Sequence, residues 1–196
     1  MPTDSHISAS TRDKILNAAE NLIKSFGYNG FSYEDISKSV GIKKSSIHHH
    51  FSTKSELGVA VVQRYSERSQ EKLELIESNY SSPKACLKAY VEIFVAAYDN
   101  NSQELCLCGI LAAESKSLSQ EVFIELQKFF TMNSNWLTSI FKQGKNLKEL
   151  TYVGDARDQA LAFLSSLEGA MVVGKAFKSP DFVKKIGATL MKDLLQ

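Results

Sequence analysis

Apolar residues recur along this chain at the three- and four-residue spacing of amphipathic helices. Over residues 10–26, STRDKILNAAENLIKSF, the residues Ile15, Ala18, Ala19, Leu22, Ile23 and Phe26 fall on one stripe. Ser10 can cap that helix with Asp13 at the reciprocal position, and Gly27 stops it. After an Asn29-Gly30 turn, Ser32 with Asp35 opens a second helix, whose apolar face is Ile36 and Val40 and whose stop is Gly41. A third helix is predicted over 43–51. Thr53 with Glu56 opens a fourth that runs to about residue 79. Beyond Ser82-Pro83 the pattern becomes longer and more apolar, and it predicts helices over 83–99, 103–113, 119–143, 155–178 and 180–195. Pro83 and Pro180 each suit a first turn. The pattern therefore predicts an all-α chain of about nine helices. Three short ones form an N-terminal helix-turn-helix domain, and the rest form a larger C-terminal helical domain.

Composition agrees: 196 residues, 43% hydrophobic and 23% charged, with only 3 prolines and 10 glycines. The net charge of +1 carries no information about partners. Its distribution does. Between residues 36 and 55 the charged side chains are Lys38, Lys43, Lys44 and Lys54, with no acid among them. Such a stretch is either an electrostatic footprint for nucleic acid or an ordinary solvated face. The cysteines, Cys86, Cys106 and Cys108, are odd in number, and the N-terminal segment is polar without an apolar signal core. A reduced, cytoplasmic chain is the expectation. The most apolar long stretch, 160–177, is interrupted by Glu168 and Lys175, so no membrane span is expected.

Three consecutive histidines, His48 to His50, raise the question of a metal. On a helix successive residues turn by about 100°, so the three rings fan over about 200° and cannot converge on one ion. No Cys, Asp or Glu lies within the third helix to complete a ligand set. No metal and no cofactor are expected. Nor does the chain carry a nucleophile–base motif or a phosphate loop, so an enzyme is not expected either. With Ile47 at the core, Ser45, Ser46, His48 and His49 fall on the outward arc and His50 returns toward the core beside Phe51. Hydrogen-bonding side chains with lysines around them are the inventory that reads base edges and phosphates, and they also make an ordinary polar helix face.

Residues 11–57 strongly resemble the DNA-binding domain of TetR-type repressors. The likeness rests on the Ala18-Ala19 pair, Gly27-Tyr28, the F-S-x-x-D-I run from Phe31, Val40-Gly41-Ile42, His50-Phe51 and the K-x-E-L run from Lys54. It implies a DNA-binding domain over 8–68, with its motif at about 32–51, and a regulatory and dimerisation domain over 69–196. It further implies that Ser32 and Tyr33 start the support helix against the DNA backbone. Lys44, Ser45 and Ser46 would face base edges, Lys43 would belong to the same DNA-binding set, and Lys54 would hold a phosphate. His50 and Phe51 would be structural. His48 and His49 stand where the family usually has aromatic residues. An imidazole can take up charge near neutrality, so operator binding is expected to tighten as the pH falls from about 8 to 6.

The implied partners are a double-stranded palindromic operator, a second copy of the chain and an inducer. Phe163, Ser166, Ala170, Gly174 and Phe177 are the expected dimer-facing residues, or else internal core. Phe94, Tyr98, Phe130, Met132 and Trp136 are the candidate pocket lining, or again core. The segments CLCGILAAES (106–115) and SLEGAMVVGKAF (166–177) look like the corresponding parts of the electrophile-sensing repressors of N-ethylmaleimide reductase. That likeness makes Cys106 the candidate sensor and Lys175 the ammonium that would lower its pKa. The alternative is that Cys106 and Cys108 are small core residues.

Overall fold

The computed structural model describes residues 10–99 and 104–194. Nine α-helices and one 3-10 turn account for the regular structure among them, and no strand is present. The first four helices are α1 Thr11–Phe26, α2 Tyr33–Val40, α3 Lys44–His50 and α4 Lys54–Asn79. The larger part holds α5 Pro83–Asp99, α6 Leu107–Ala113, α7 Gln120–Asn146, α8 Ala156–Ala176 and α9 Phe182–Asp193. The all-α expectation holds.

The helix starts are set by local chemistry. The Asp13 N–H donates to the Ser10 hydroxyl at 3.1 Å, and that hydroxyl donates to the Asp13 carboxylate at 2.6 Å. A full capping box joins Ser32 and Asp35. Thr53 accepts the Glu56 N–H at 3.1 Å at the start of α4. Gly41 ends α2 at φ 73°, in the left-handed region where a side chain is strained.

Some bounds differ from the sequence pattern. α6 begins at Leu107 rather than 103, because Cys106 is its N-cap in extended backbone at φ −57° and ψ 127°. Residue 103 lies outside the described residues. α9 begins at Phe182, after an Asp181 N-cap, so Pro180 sits in the preceding turn. α7 continues to Asn146.

Ile15, Ile36, Ile47, Phe51 and Leu57 form the core of the small N-terminal helices. This core is continuous with Leu107, Leu111 and Val122 of α6 and α7, so the N-terminal helices rest directly on the larger part. A second core, around Leu87, Leu137, Phe141, Phe163 and Leu167, joins α5, α7 and α8. α4 passes unbroken through residues 68 and 69 and serves both halves.

The residues expected on the dimer face turn out to lie mostly inside. Phe163 is 3% exposed, Ala170 is buried, and Ser166 is half-buried. Gly174 is where α8 crosses Tyr98 and Phe182: a Cβ there would stand 2.7 Å from the tyrosine oxygen and 2.8 Å from the Phe182 Cβ. Only Phe177 of that set is open, at 69%. The outward side of α8 is instead Leu161, Ser165 and Val172, about half a turn of the helix away from Phe163.

Candidate nucleic-acid interface and buried thiol site

α3 is anchored by one residue, Ile47, which is wholly buried, and by Phe51 at its C-cap. Everything else on this short helix is thereby turned outward. Lys43, Lys44, Ser45, His48 and His49 are exposed and Ser46 is half-buried. Ser45, Ser46, His49 and His50 share a shallow depression with Thr11 of α1 and Ile42. His50, expected to brace the core, is exposed, with its ring 5.6 Å from that of His49, and Phe51 alone does the bracing. Among the described residues no three His, Cys, Asp or Glu side chains gather as a metal site.

His48 has two fixed contacts. Its ring packs 4.8 Å from the ring of Tyr33, and its Nδ1 lies 3.3 Å from the Ser52 carbonyl oxygen. A carbonyl only accepts, so that contact places the proton on Nδ1 and leaves Nε2 as the other ring nitrogen.

Two residues expected on DNA are structural here. Tyr33 is buried, and its hydroxyl donates to the Phe51 carbonyl at 3.0 Å, tying the start of α2 to the end of α3. Burial first, then the Glu56 charge, pushes the phenol up to about 12, so it stays a donor. Lys54 donates to the Phe31 carbonyl and its ammonium lies 4.1 Å from the Phe31 ring centre and 5.0 Å from that of Tyr28. Burial lowers its pKa, opposed by Glu114 and Asp35. One hydrogen bond and two aromatic rings thus engage the ammonium from the protein side. Ser32 remains exposed at the start of α2.

The second site is a cavity of about 340 Å³ between α1, α4, α5, α7 and α8, within the range of small-molecule pockets. Phe94 is among its lining residues, together with Tyr65, Tyr90, Phe129, Cys106 and Glu168. Tyr98, Phe130, Met132 and Trp136 do not line it. Tyr98 is core against Gly174, and Trp136 stacks on Tyr90 at 5.4 Å, behind the cavity wall.

Cys106 faces this cavity, but without the expected ammonium. Lys175 is solvent-exposed and lies two turns beyond Glu168 on α8, about 10 Å along the helix. Glu168 takes its place. The Tyr65 hydroxyl donates to the sulfur at 3.7 Å, and the Glu168 carboxyl and the Gly109 N–H lie on its other sides. Burial, followed by the Glu168 charge, pushes the Cys106 thiol up to about 12. Burial likewise raises the Glu168 carboxyl, partly offset by the neighbouring Cys106 thiol. Glu168 Oε1 is buried without a partner.

The cavity mouth carries an ion network that the helical pattern gave no reason to expect. Glu20 of α1 is buried and pairs with Arg68 at 2.6 Å, Lys24 at 3.2 Å and Arg64 at 3.4 Å. Burial alone would raise its pKa, but Arg68 and Lys24 outweigh it and the carboxyl is lowered. Lys24 also pairs with Glu104 at 3.1 Å, two residues before Cys106. At the other end of α6 the Glu114 carboxylate accepts the Tyr28 N–H at 3.1 Å, the Asn29 N–H at 3.3 Å and the Asn29 side-chain amide at 3.3 Å. Residues 104–114 are thus fastened to the DNA-side helices at both ends. The bonded residues are 80 or more positions apart in the chain, so no local motif announces them.

A short outward helix anchored at one residue, set after a glycine turn on a three-helix unit, defines a helix-turn-helix DNA-binding protein. Residues 15–61 match the family model for bacterial regulatory proteins of the tetR family. The structure superposes on a TetR-family transcriptional regulator from Agrobacterium tumefaciens with a TM-score of 0.91 and 33% identity, covering 94% of this chain and 97% of that one. An HTH-type transcriptional regulator from Lactococcus lactis is 31% identical over 66% of this chain and 71% of its own. The HTH-type transcriptional repressor NemR of Escherichia coli is 25% identical over 89% of this chain and 88% of its own. The chain belongs to the TetR family of transcriptional regulators. Among the described residues no helix is long and apolar enough to cross a membrane.

Proposed function

We propose that this protein is a dimeric repressor that leaves a palindromic operator when a small molecule or an electrophile enters the cavity at Cys106. Ser32, Lys43, Lys44, Ser45, Ser46, His48 and His49 form the proposed DNA face, since they are open to solvent or half so around a rigidly anchored α3. The division of labour runs through α4: residues up to about 68 serve DNA, and those from 69 onward serve regulation and pairing.

The observation that carries the reading is the double fastening of residues 104–114. Glu104 holds one end to Lys24 of α1, and Glu114 holds the other to the backbone of Tyr28 and Asn29. Cys106, in the cavity wall, is part of that segment. Any group that enters beside Cys106 moves a rod tied to the DNA-side helices, which is the differential contact that a two-state switch requires. Dimerisation is assigned to the outward side of α8, where Leu161 and Val172 are exposed with Phe177 beyond the helix end. A dimer would set two copies of α3 about 34–36 Å apart, one turn of DNA.

The test is operator affinity on the DNA upstream of the protein's own gene, before and after treatment with N-ethylmaleimide, with peptide mass spectrometry of the thiols. Labelling of Cys106 accompanied by a loss of affinity of tenfold or more is expected, and Cys106→Ser should abolish the response. Labelling without loss of affinity would leave the cavity to non-covalent inducers. Absence of salt-dependent operator binding would remove the repressor reading altogether.

A further inference from the structure

Cys106 poses a problem of chemistry. A thiol held near 12 is almost wholly protonated at neutral pH and is a poor nucleophile. The groups that act on it, among the described residues, are Glu168, Tyr65 and the Gly109 N–H, and no ammonium or guanidinium is among them. The cations at the cavity mouth are directed elsewhere: Lys24 to Glu20 and Glu104, and Arg68 to Glu20, with Lys72 further along α4. The other titratable groups nearby are Tyr90 and Cys108, both neutral near pH 7 because burial raises them. Activation by a neighbouring positive charge is therefore not built into this site.

Something else is. The Tyr65 hydroxyl donates to the sulfur, and Glu168 of α8 stands beside the thiol across the first turn of α6. Position 109 is a glycine, and a Cβ there would stand 2.7 Å from Glu168 Oε2 and 3.6 Å from the Cys106 Cβ. The missing methyl is what lets the carboxyl lie over the first turn of α6, beside Cys106. Among the described residues Glu168 forms no salt bridge, and its Oε1 is buried and unpartnered. A buried carboxyl kept without a salt bridge is costly, and such a group beside a cavity is a recurrent mark of proton transfer.

We infer that Glu168 is the proton acceptor for Cys106, and that the thiol adds to α,β-unsaturated carbonyl compounds by general-base assistance instead of as a pre-formed thiolate. The step balances without an oxidant. The sulfur lone pair bonds to the β-carbon as the S–H proton passes to the Glu168 carboxylate. The C=C π pair becomes an enolate, and Glu168 returns the same proton to the α-carbon. The product is a neutral thioether. Tyr65 and the Gly109 N–H face the sulfur and stabilise the negative charge that develops on it in passage. This assignment rests on the reading of Cys106 as the reactive thiol and adds the residue that makes it react.

The two modes of activation differ in their pH profiles. A thiol near 12 reacting only as thiolate speeds up tenfold per pH unit across the whole accessible range. A base-assisted thiol speeds up only while Glu168 ionises and then levels off. The second-order rate constant for N-ethylmaleimide at Cys106 should be measured by peptide mass spectrometry from pH 5.5 to 9. The wild-type protein should rise and reach a plateau within that range. Glu168→Gln should react about 100-fold more slowly at pH 7.5, the usual size of a general-base contribution, with no plateau, and Glu168→Asp should keep the plateau at an intermediate rate. The opposite outcome is equally well defined. If Glu168 merely repels the thiolate, Glu168→Gln removes that charge and reacts as fast or faster, which overturns the inference. So does a wild-type profile that climbs tenfold per unit without levelling, a measurement that needs no variant to fold. A Cys106 that resists labelling at every pH would overturn the reading of Cys106 itself, an outcome distinct from the other two.

Discussion

At the scale of single residues, two lysines of similar sequence context have different work to do. Lys44 stands exposed at the start of α3, while Lys54 donates to the Phe31 carbonyl beneath two aromatic rings. Replacing Lys54 by Met should cost about 1–2 kcal/mol of folding stability, from the lost bond and cation–π contacts, and leave the salt dependence of operator binding unchanged. Replacing Lys44 by Ala should leave the melting temperature unchanged and reduce the slope of log affinity against log salt by about one. Paired melts and salt titrations check both, and a slope change in the Lys54 variant would restore it to the phosphate. Why the sequence pattern placed both on DNA is plain. Charge can be read along the chain, but the partner of a charge depends on which backbone carbonyl the fold brings beneath it. The same holds for Tyr33, whose phenol meets the Phe51 carbonyl 18 positions later.

At the scale of elements, the helices were legible because their signals are local. Ser10, Ser32, Thr53, Ser119 and Asp155 cap within three residues of themselves, and Ile47 with Phe51 settles which side of α3 is buried. The fastening of residues 104–114 was not legible, since each of its bonds joins distant elements. Gly27 shows the difference. As a helix stop it can be read from sequence, but its second role cannot: at φ 78° it leaves room for Glu114, whose Oε1 would lie 2.0 Å from an added Cβ. Gly27→Ala should therefore act beyond its backbone strain of about 1 kcal/mol, by pushing Glu114 off the Tyr28 and Asn29 amides. Operator affinity should fall before any modification of Cys106, and modification should then lower it little further. Glu114→Gln, which keeps the shape and loses the charge, should shift the same way by a smaller amount. An unchanged affinity in both variants, measured alongside melts to confirm folding, would show that α6 does not speak to the DNA side through this contact.

At the scale of the whole molecule, the proposed pairing of two copies turns on α8, and here periodicity alone is ambiguous for a physical reason. Two sides of the helix carry apolar or small residues, the outer one with Glu168 among them. Phe163, Leu167, Ala170 and Gly174 line one side, and Leu161, Ser165, Val172 and Ala176 the other, so a wheel gives two candidate faces and no means to rank them. Packing ranks them. α5, α7 and α9 occupy the first side, and the second keeps Leu161 41% and Val172 58% exposed. Exposed leucine and valine in one stripe are costly for a monomer and suit a self-complementary interface about a two-fold axis. A charge placed there should therefore separate the copies without disturbing the fold. Leu161→Glu and Val172→Glu should sediment as monomers with unchanged helical content and melting behaviour close to wild type at high dilution. Their operator affinity should fall steeply, because one α3 per complex gives up the second half-site. Ala170→Glu, on the opposite side, should instead fail to fold, since an unpaired carboxylate would enter the core. If Ala170→Glu folds as a monomer while Leu161→Glu remains a dimer, the interface lies on the side the wheel first suggested, and the packing of α8 against α5, α7 and α9 must differ in the dimer.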